Sequence, residues 1–273
     1  MKLILLKPIP WAAAALALVL PFAVQAHKMW LLPSATVLSS DDAWITVDAA
    51  ISNDLYYPDH FPAQLETLVI TAPDGSRAMP ANPATGKYRS TFDLAVPMKG
   101  TYRLALVNQG LSASYELGGE KKRWRGKAAG LKSGIPAGAT AVQVSEMDTR
   151  VETYVTQGAP NDTALKPSNV GLELVPVTHP NDLIVGEKAS FRLLIDGKPA
   201  ADLKVVVIRG ATRYRDSPDE IDVTTGKDGA FSVTWPEAGM YWINASTQDD
   251  KTSVKQAKQR RLAYTATMEV LPE

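Results

Sequence analysis

The segment TTGKDGAFSVTWPEAGMYWINA, residues 224–245, shows most directly what kind of fold the chain adopts. It contains two runs of β-branched and aromatic residues, AFSVTWP at 230–236 and GMYWINA at 239–245, and such runs are typical of strands. The glycine of KDGA, which precedes the first run, supplies the positive φ that a tight turn between strands needs. The segment therefore predicts consecutive antiparallel strands.

The same pattern continues in both directions along the chain. Five further runs of this kind follow residue 170: LELVPV, KASFRLLI, LKVVVIR, EIDVTT and RRLAYTATMEVL. With the first two they make about seven strands, the number expected of an immunoglobulin-like sandwich. Similar runs lie between residues 43 and 158: AWITVDA, LETLVITAPDGS, GTYRLALV and TRVETYVTQG. We therefore predict an all-β chain with two antiparallel β-sandwich domains in tandem.

The segment QGAPNDTALKPSN, residues 157–169, is polar, contains proline and has no hydrophobic period, which is typical of a linker. It divides the predicted domains at 27–156 and 170–273. Because the second domain has a complete sandwich pattern, we expect a chain that begins near Val170 to fold alone. Its aromatic residues are predicted to pack in the core rather than to bind a ligand, and they are Phe231, Trp235, Tyr241 and Trp242.

Residues 1–26 have the layout of a signal peptide. Lys2 and Lys7 are followed by the apolar run WAAAALALVLPFAV and then by Val24-Gln25-Ala26. The run is shorter than the roughly 20 residues that span a bilayer, which argues against a membrane anchor. We expect cleavage after Ala26, export to the periplasm, and no insertion of the mature chain in the membrane.

The composition limits the chemistry that is available. Removal of Lys2 and Lys7 leaves 27 of the 29 basic residues, against 29 acidic ones, so nothing points to nucleic acid as a partner. The chain has no cysteine, which excludes disulfides and thiolate-bound metals. The sequence also lacks the GxSxG, Walker and HExxH motifs, and we therefore predict that the protein is not an enzyme.

The three histidines are the candidate metal ligands: His27, His60 and His179. After cleavage His27 would carry a free α-amine beside its imidazole, and the two nitrogens can chelate an ion. One more imidazole completes the three-nitrogen arrangement called a histidine brace. Such a set suits Cu(II) or Ni(II) best, with cobalt binding more weakly. The alternative is that His27 only marks the cleavage site.

His60 lies in SNDLYYPDHFP, residues 52–62, which predicts a loop. Asp54 or Asp59 could orient its imidazole; alternatively, it is a surface histidine. His179 lies in PVTHPND, which predicts a turn that faces the N-terminal domain. It is either a ligand or a histidine that bonds the backbone of its own turn.

Two basic segments are predicted to be solvated, salt-bridged surface. They are EKKRWRGK at 120–127 and RGATRYRD at 209–216. Short charge runs are usually of this kind, although one of the two could dock another protein.

The mature chain resembles a family of Gram-negative periplasmic proteins of unknown function that are labelled as periplasmic components of nickel or cobalt uptake systems. The segments that carry the resemblance are AHKMWLLPS, DAAISNDLYYPDHFP, KRWRG, RVETYVTQGAP, GLELVPVTHPNDL and the block from DGKPA to AGMYWINA. The C-terminal part resembles transthyretin-like or carboxypeptidase-regulatory-like sandwiches. The resemblance implies a periplasmic role in handling a transition metal.

Three functions remain open at the level of sequence. The first is a periplasmic protein that binds nickel, cobalt or copper for uptake or delivery, with a membrane transporter or another periplasmic protein as its partner. The second is a non-catalytic exported interaction module. The third is a copper enzyme with a histidine brace, which ranks last because no extended aromatic binding face is recognisable.

Overall fold

The computed structural model describes residues 27–273, which form an all-β fold; the predicted signal peptide, residues 1–26, lies outside them. The strands before residue 158 are β1 (Lys28–Pro33), β2 (Val37–Leu38), β3 (Trp44–Ser52), β4 (Phe61–Pro62), β5 (Leu68–Thr71), β6 (Arg77–Ala78), β7 (Ala81–Thr85), β8 (Ser90–Ala95), β9 (Gly100–Leu117), β10 (Glu120–Gly126) and β11 (Thr140–Gln157). The later strands are β12 (Leu172–Pro176), β13 (Lys188–Ile195), β14 (Lys198–Pro199), β15 (Lys204–Arg209), β16 (Ile221–Thr224), β17 (Ala230–Thr234), β18 (Gly239–Asp249) and β19 (Gln259–Val270).

Within the described residues, helical structure is confined to short pieces. A four-residue α-helix spans Leu131–Gly134, and three 3-10 turns span Ala128–Gly130, Thr163–Leu165 and Thr212–Tyr214. Over residues 27–273 no helix is long and apolar enough to cross a membrane.

The N-terminal half is a sandwich, as predicted. A sheet in the order β1-β3-β8-β7, with β4 beside β3, covers one face of a larger sheet that includes β5, β9 and β11. Alternation in β3 sends Ile45, Val47 and Ala49 into the core and leaves Trp44 and Thr46 exposed. Leu104 and Leu106 of β9 and several aliphatic side chains fill the space between the sheets.

The C-terminal half is a second sandwich. A sheet of β12, β13, β14 and β17 packs against β15, β18 and β19. The prediction that its aromatic residues pack in the core is confirmed, because all four are less than a tenth exposed: Phe231, Trp235, Tyr241 and Trp242.

The two halves share one ten-stranded sheet, which the sequence did not predict. β11 pairs antiparallel with β9 and parallel with β19, in a ladder that runs from Ser145 opposite Gln259 to Thr153 opposite Thr267. The prediction of purely antiparallel pairing is therefore corrected at this junction. Alternation along β11 lets Val151 and Val155 face the N-terminal core while Tyr154 faces the C-terminal core.

The predicted linker, residues 157–169, connects β11 to β12 and buries Ala164 and Leu165. Independent folding of a chain that begins near Val170 stays a prediction. Such a chain would lack β11, so the backbone N–H and C=O groups of β19 that pair with β11 would be left without partners.

A buried ionic network lies where the halves meet. Glu152 accepts hydrogen bonds from the hydroxyls of Tyr154 and Tyr264, at 2.7 and 2.8 Å, and pairs with Arg150 at 3.2 Å. Burial, reinforced by the charge of Glu152, raises the pKa of both tyrosines well above their usual range, so both phenols stay protonated and donate. Arg150 also reaches Glu173 of β12, which ties β11 to the C-terminal sheet.

A third apolar cluster fastens β1 to the C-terminal half. Trp30, Ala50 and Leu55 from the N-terminal half pack against Ile208 and Trp242 from the C-terminal half. This cluster, which we call the interlock, underlies the candidate site described next.

Candidate metal centre

Two of the three predicted ligands stack on one another. The imidazole rings of His27 and His60 have centroids 3.7 Å apart and planes inclined by 24°. His27 is exposed and His60 is half-buried, so both rings are accessible from solvent. The ring of Phe61, whose centroid is 4.1 Å from that of His60, flanks the pair.

The loop that carries His60 is held by the C-terminal half. Leu55 is buried in the interlock, and its backbone N–H donates to the Thr212 hydroxyl at 3.1 Å. The guanidinium of Arg213 lies 4.1 Å from the centre of the Tyr57 ring, a cation–π contact. Residues 53–60 are thus a loop, as predicted, and packing fixes its course, whereas the ends of the predicted loop, Ser52 and Phe61–Pro62, belong to β3 and β4.

The start of β1 is fixed from the same side. The indole N–H of Trp30 donates to the Ser52 hydroxyl at 2.8 Å, and the indole N–H of Trp242 donates to the Met29 carbonyl at 3.0 Å. Lys28 lies opposite Ser52 in the ladder between β1 and β3. His27 therefore enters the site from a strand that is held on both edges.

The acidic residues of the loop make contacts other than those we predicted. Asp59 accepts from the backbone N–H of Asn53 at 2.9 Å and from its side-chain amide at 3.3 Å, which closes the loop. The Asp54 carbonyl accepts from the Ser52 hydroxyl at 2.6 Å. In the part of the chain that the structure describes, no group of three or more His, Cys, Asp or Glu side chains could hold a metal ion.

His179 lies elsewhere. It sits in a turn that faces the N-terminal half, as predicted, and its Nε2 is 2.9 Å from the Thr101 hydroxyl. Thr101 in turn contacts Thr156, and the backbone N–H of Thr156 donates to the carbonyl of Thr36. Thr36 follows the C-terminal end of β1, whereas His27 precedes its N-terminal end. At about 3.3 Å per residue, the six residues of β1 place His179 roughly 20 Å from His27.

Both ring nitrogens of His179 are already used. Nδ1 accepts from the backbone N–H of Asn181 at 3.2 Å, so Nε2 carries the proton and donates to Thr101. The Thr101 hydroxyl lies 3.0 Å from that of Thr156, which donates at 2.9 Å to Asn181. The ring completes a closed hydrogen-bond circuit that joins β9, β11 and the turn.

This environment predicts a pH dependence of stability. Burial lowers the pKa of His179, and the charges of Asp162 and Asp182 offset this only in part. The stability linked to neutral His179 is fully present above its unfolded pKa, about 6.5, and is lost as the pH falls toward the lower folded value. Between pH 7.5 and 5.5, urea unfolding should therefore show a larger loss of stability for the wild type than for His179→Gln. Identical pH profiles would contradict the assignment.

The two basic segments differ from one another. Residues 120–126 form strand β10, whose cationic side chains are exposed along an edge of the large sheet, and within it Lys122 pairs with Glu120. Arg209 and Arg215 form ion pairs with Glu237 at 2.9 Å and Asp219 at 3.2 Å, as predicted for salt-bridged surface.

The residues that hold the site could not be recognised as such from the sequence. Trp30 and Leu55 position β1 and the loop against the C-terminal half, and Phe61 flanks His60. Phe61 directly follows His60 in the sequence, and this was the one available signal.

Comparison with known proteins gives a family and distant structural likenesses. The family model described as "Domain of unknown function (DUF4198)" matches residues 24–249. No curated protein sequence matches the chain. Among solved structures, the D0-D1 domain of intimin is 11% identical, with 87% of this chain and 96% of that chain covered and a TM-score of 0.23. The human OSCAR ligand-binding domain is 12% identical, with 89% and 99% covered and a TM-score of 0.21. Likenesses this distant carry no argument about function.

Proposed function

The chain belongs to the family described as a domain of unknown function (DUF4198), a description that assigns no activity, and on that premise we propose that it binds a divalent transition-metal ion through His27 and His60. The observation that carries the proposal is the stacking of these two imidazoles at 3.7 Å. The two side chains come from separate segments, the start of β1 and the loop before β4, that are both fixed by the interlock.

The chemistry rests on three nitrogens. In a protein processed after Ala26, His27 offers its α-amine and Nδ1, and His60 offers one imidazole nitrogen. Metal–nitrogen bonds are about 2 Å long, so two nitrogens on one ion lie about 3–4 Å apart, comparable to the ring separation. The stacked rings must turn about their side-chain torsions so that their lone pairs converge, and the accessibility of both rings permits this.

His179 is left out of the proposed ligand set. Its nitrogens are already hydrogen-bonded, and it lies at the opposite end of β1. A three-histidine site would require the circuit of Thr101, Thr156 and Asn181 to open.

A set of nitrogen donors favours Cu(II), then Ni(II), with cobalt weaker. We propose a carrier rather than an enzyme, located in the periplasm, that takes up the ion and delivers it to a membrane transporter or another periplasmic protein. An accessible two-histidine site at the end of a strand suits transfer of an ion between proteins.

The test compares His60→Ala with the matched control His179→Ala. We expect His60→Ala to weaken the binding of Cu²⁺ or Ni²⁺ to the processed protein at least tenfold, because a donor is lost. His179→Ala should leave the affinity unchanged and lower the melting temperature, since it removes buried hydrogen bonds. Isothermal titration and thermal unfolding measure the two effects.

Two outcomes would count against the carrier. If the wild-type protein binds copper and nickel no more tightly than millimolar, the proposed carrier function is wrong. The non-catalytic interaction module then becomes the favoured function. Equal losses of affinity in the two variants would mean that the ion binds elsewhere.

A further inference from the structure

A cleft of about 750 Å³ opens between the two sheets of the N-terminal sandwich, beside Phe61. Met29, Ile51 and Phe61 form its wall on the smaller sheet, and Met147 contributes to the wall on the larger one. A volume of this size, with mostly apolar walls and a few polar groups, is typical of sites for small molecules.

The cleft is the open end of the N-terminal core. Leu104 and Leu106 of β9 fill the space between the sheets, and by alternation Asn108 and Gly110 follow them on the same face. Gly110 brings no side chain, so the gap left by the diverging sheets stays unfilled. On the other wall Met29, Ile51 and Phe61 are paired in one row across β1, β3 and β4.

The rim of the cleft is cationic. Arg125 and Lys127 line it, are exposed, and form no ion pair with any residue in the range 27–273. The residues that line the cleft include no aspartate or glutamate, although the chain as a whole carries equal numbers of acidic and basic residues. Two unpaired cations above an apolar slot are complementary to an anion with an apolar body.

We propose that this cleft binds a free amphipathic carboxylate. The apolar body lies between Phe61 and Met147, and the carboxylate pairs with Arg125 and Lys127. The apolar walls face one another across the space between the two sheets, so they suit a molecule that enters from solution better than a lipid that remains in a bilayer. The proposal is independent of metal binding.

The experiment titrates decanoate into the metal-free processed protein by isothermal calorimetry. We expect saturable binding at one site, with decylammonium and acetate binding at least tenfold more weakly, because one has the wrong charge and the other lacks the apolar body. Arg125→Ala combined with Lys127→Ala should weaken decanoate at least tenfold. The control, Lys121→Ala combined with Lys122→Ala, removes the same charge from strand β10 outside the cleft and should change the affinity less than twofold.

A second variant tests the apolar wall. Met147→Trp fills the slot and should weaken decanoate at least tenfold while the far-ultraviolet circular dichroism stays native. The proposed site would be overturned if the wild-type protein bound decanoate no more tightly than millimolar. It would also be overturned if decylammonium bound as tightly as decanoate, or if the Arg125/Lys127 variant kept the wild-type affinity. Co-sedimentation of the protein with phosphatidylglycerol vesicles, if it is lost in the Arg125/Lys127 variant and in the presence of decanoate, would overturn the assignment to a free carboxylate.

Discussion

Trp30→Ala should lower the free energy of unfolding by about 3–5 kcal/mol, the usual cost of truncating a buried tryptophan. The side chain is fully buried in the interlock, and its indole N–H bonds the Ser52 hydroxyl at 2.8 Å. The substitution leaves a cavity between the halves and a buried hydroxyl with one partner fewer. Urea unfolding followed by circular dichroism measures the loss.

Trp44→Ala is the matched control for this prediction. Trp44 lies on β3 of the same sheet but is 55% exposed, so its truncation should change the stability by no more than about 0.5 kcal/mol. Similar losses for the two variants would mean that the interlock does not hold the halves together. Because Leu55 belongs to the same cluster, Trp30→Ala should also loosen the loop that carries His60.

Sequence periodicity predicted the fold class because alternation reports directly which side of a strand is buried. The strands at 230–234 and 239–249 and the loop around His60 follow from such local signals. Alternation does not say which strand is the neighbour, so it could not predict that β11 pairs with β19. That pairing depends on contacts more than one hundred residues apart in sequence.

Buried charge was equally invisible in the sequence. Glu152 lies in an alternating strand, where a carboxylate usually faces solvent, yet it is 1% exposed. Two tyrosines and Arg150 compensate for its burial, and one of them, Tyr264, comes from β19. Local composition contains no sign of that partner.

The candidate site was predictable only in part. The scarcity of histidine and the expected cleavage after Ala26 singled out His27, and the loop composition singled out His60. Their approach to one another depends on the packing of β1 and residues 53–60 against the C-terminal half. His179 bonds the backbone N–H of Asn181 in its own turn, which is the alternative to metal ligation that the sequence offered. Its second partner, Thr101, is distant in sequence and could not be predicted.

The second large effect is expected from the N-terminus itself. A chain that keeps a methionine before His27 has an amide where the processed protein has an amine, and an amide nitrogen is a poor ligand unless it loses its proton. Losing one donor from a chelate costs a few kcal/mol, and about 1.4 kcal/mol is tenfold in affinity. Affinity for Cu²⁺ or Ni²⁺ should therefore fall more than tenfold although the fold is intact.

His27→Ala in the processed protein is the companion variant. It keeps a free α-amine and loses the ring, so it should also bind more weakly than the wild type. An unchanged far-ultraviolet spectrum in both proteins separates loss of a ligand from loss of structure, because residue 27 precedes β1 and is exposed.

The most direct measurement is a competition titration of Cu²⁺ and Ni²⁺ into the processed and the methionine-extended proteins, with each N-terminus confirmed by mass spectrometry. The account predicts that the processed protein binds one equivalent of the ion more than tenfold tighter than the extended protein. Equal affinities would contradict ligation by the His27 amine, and His27 would then be no more than the residue that follows the cleavage site.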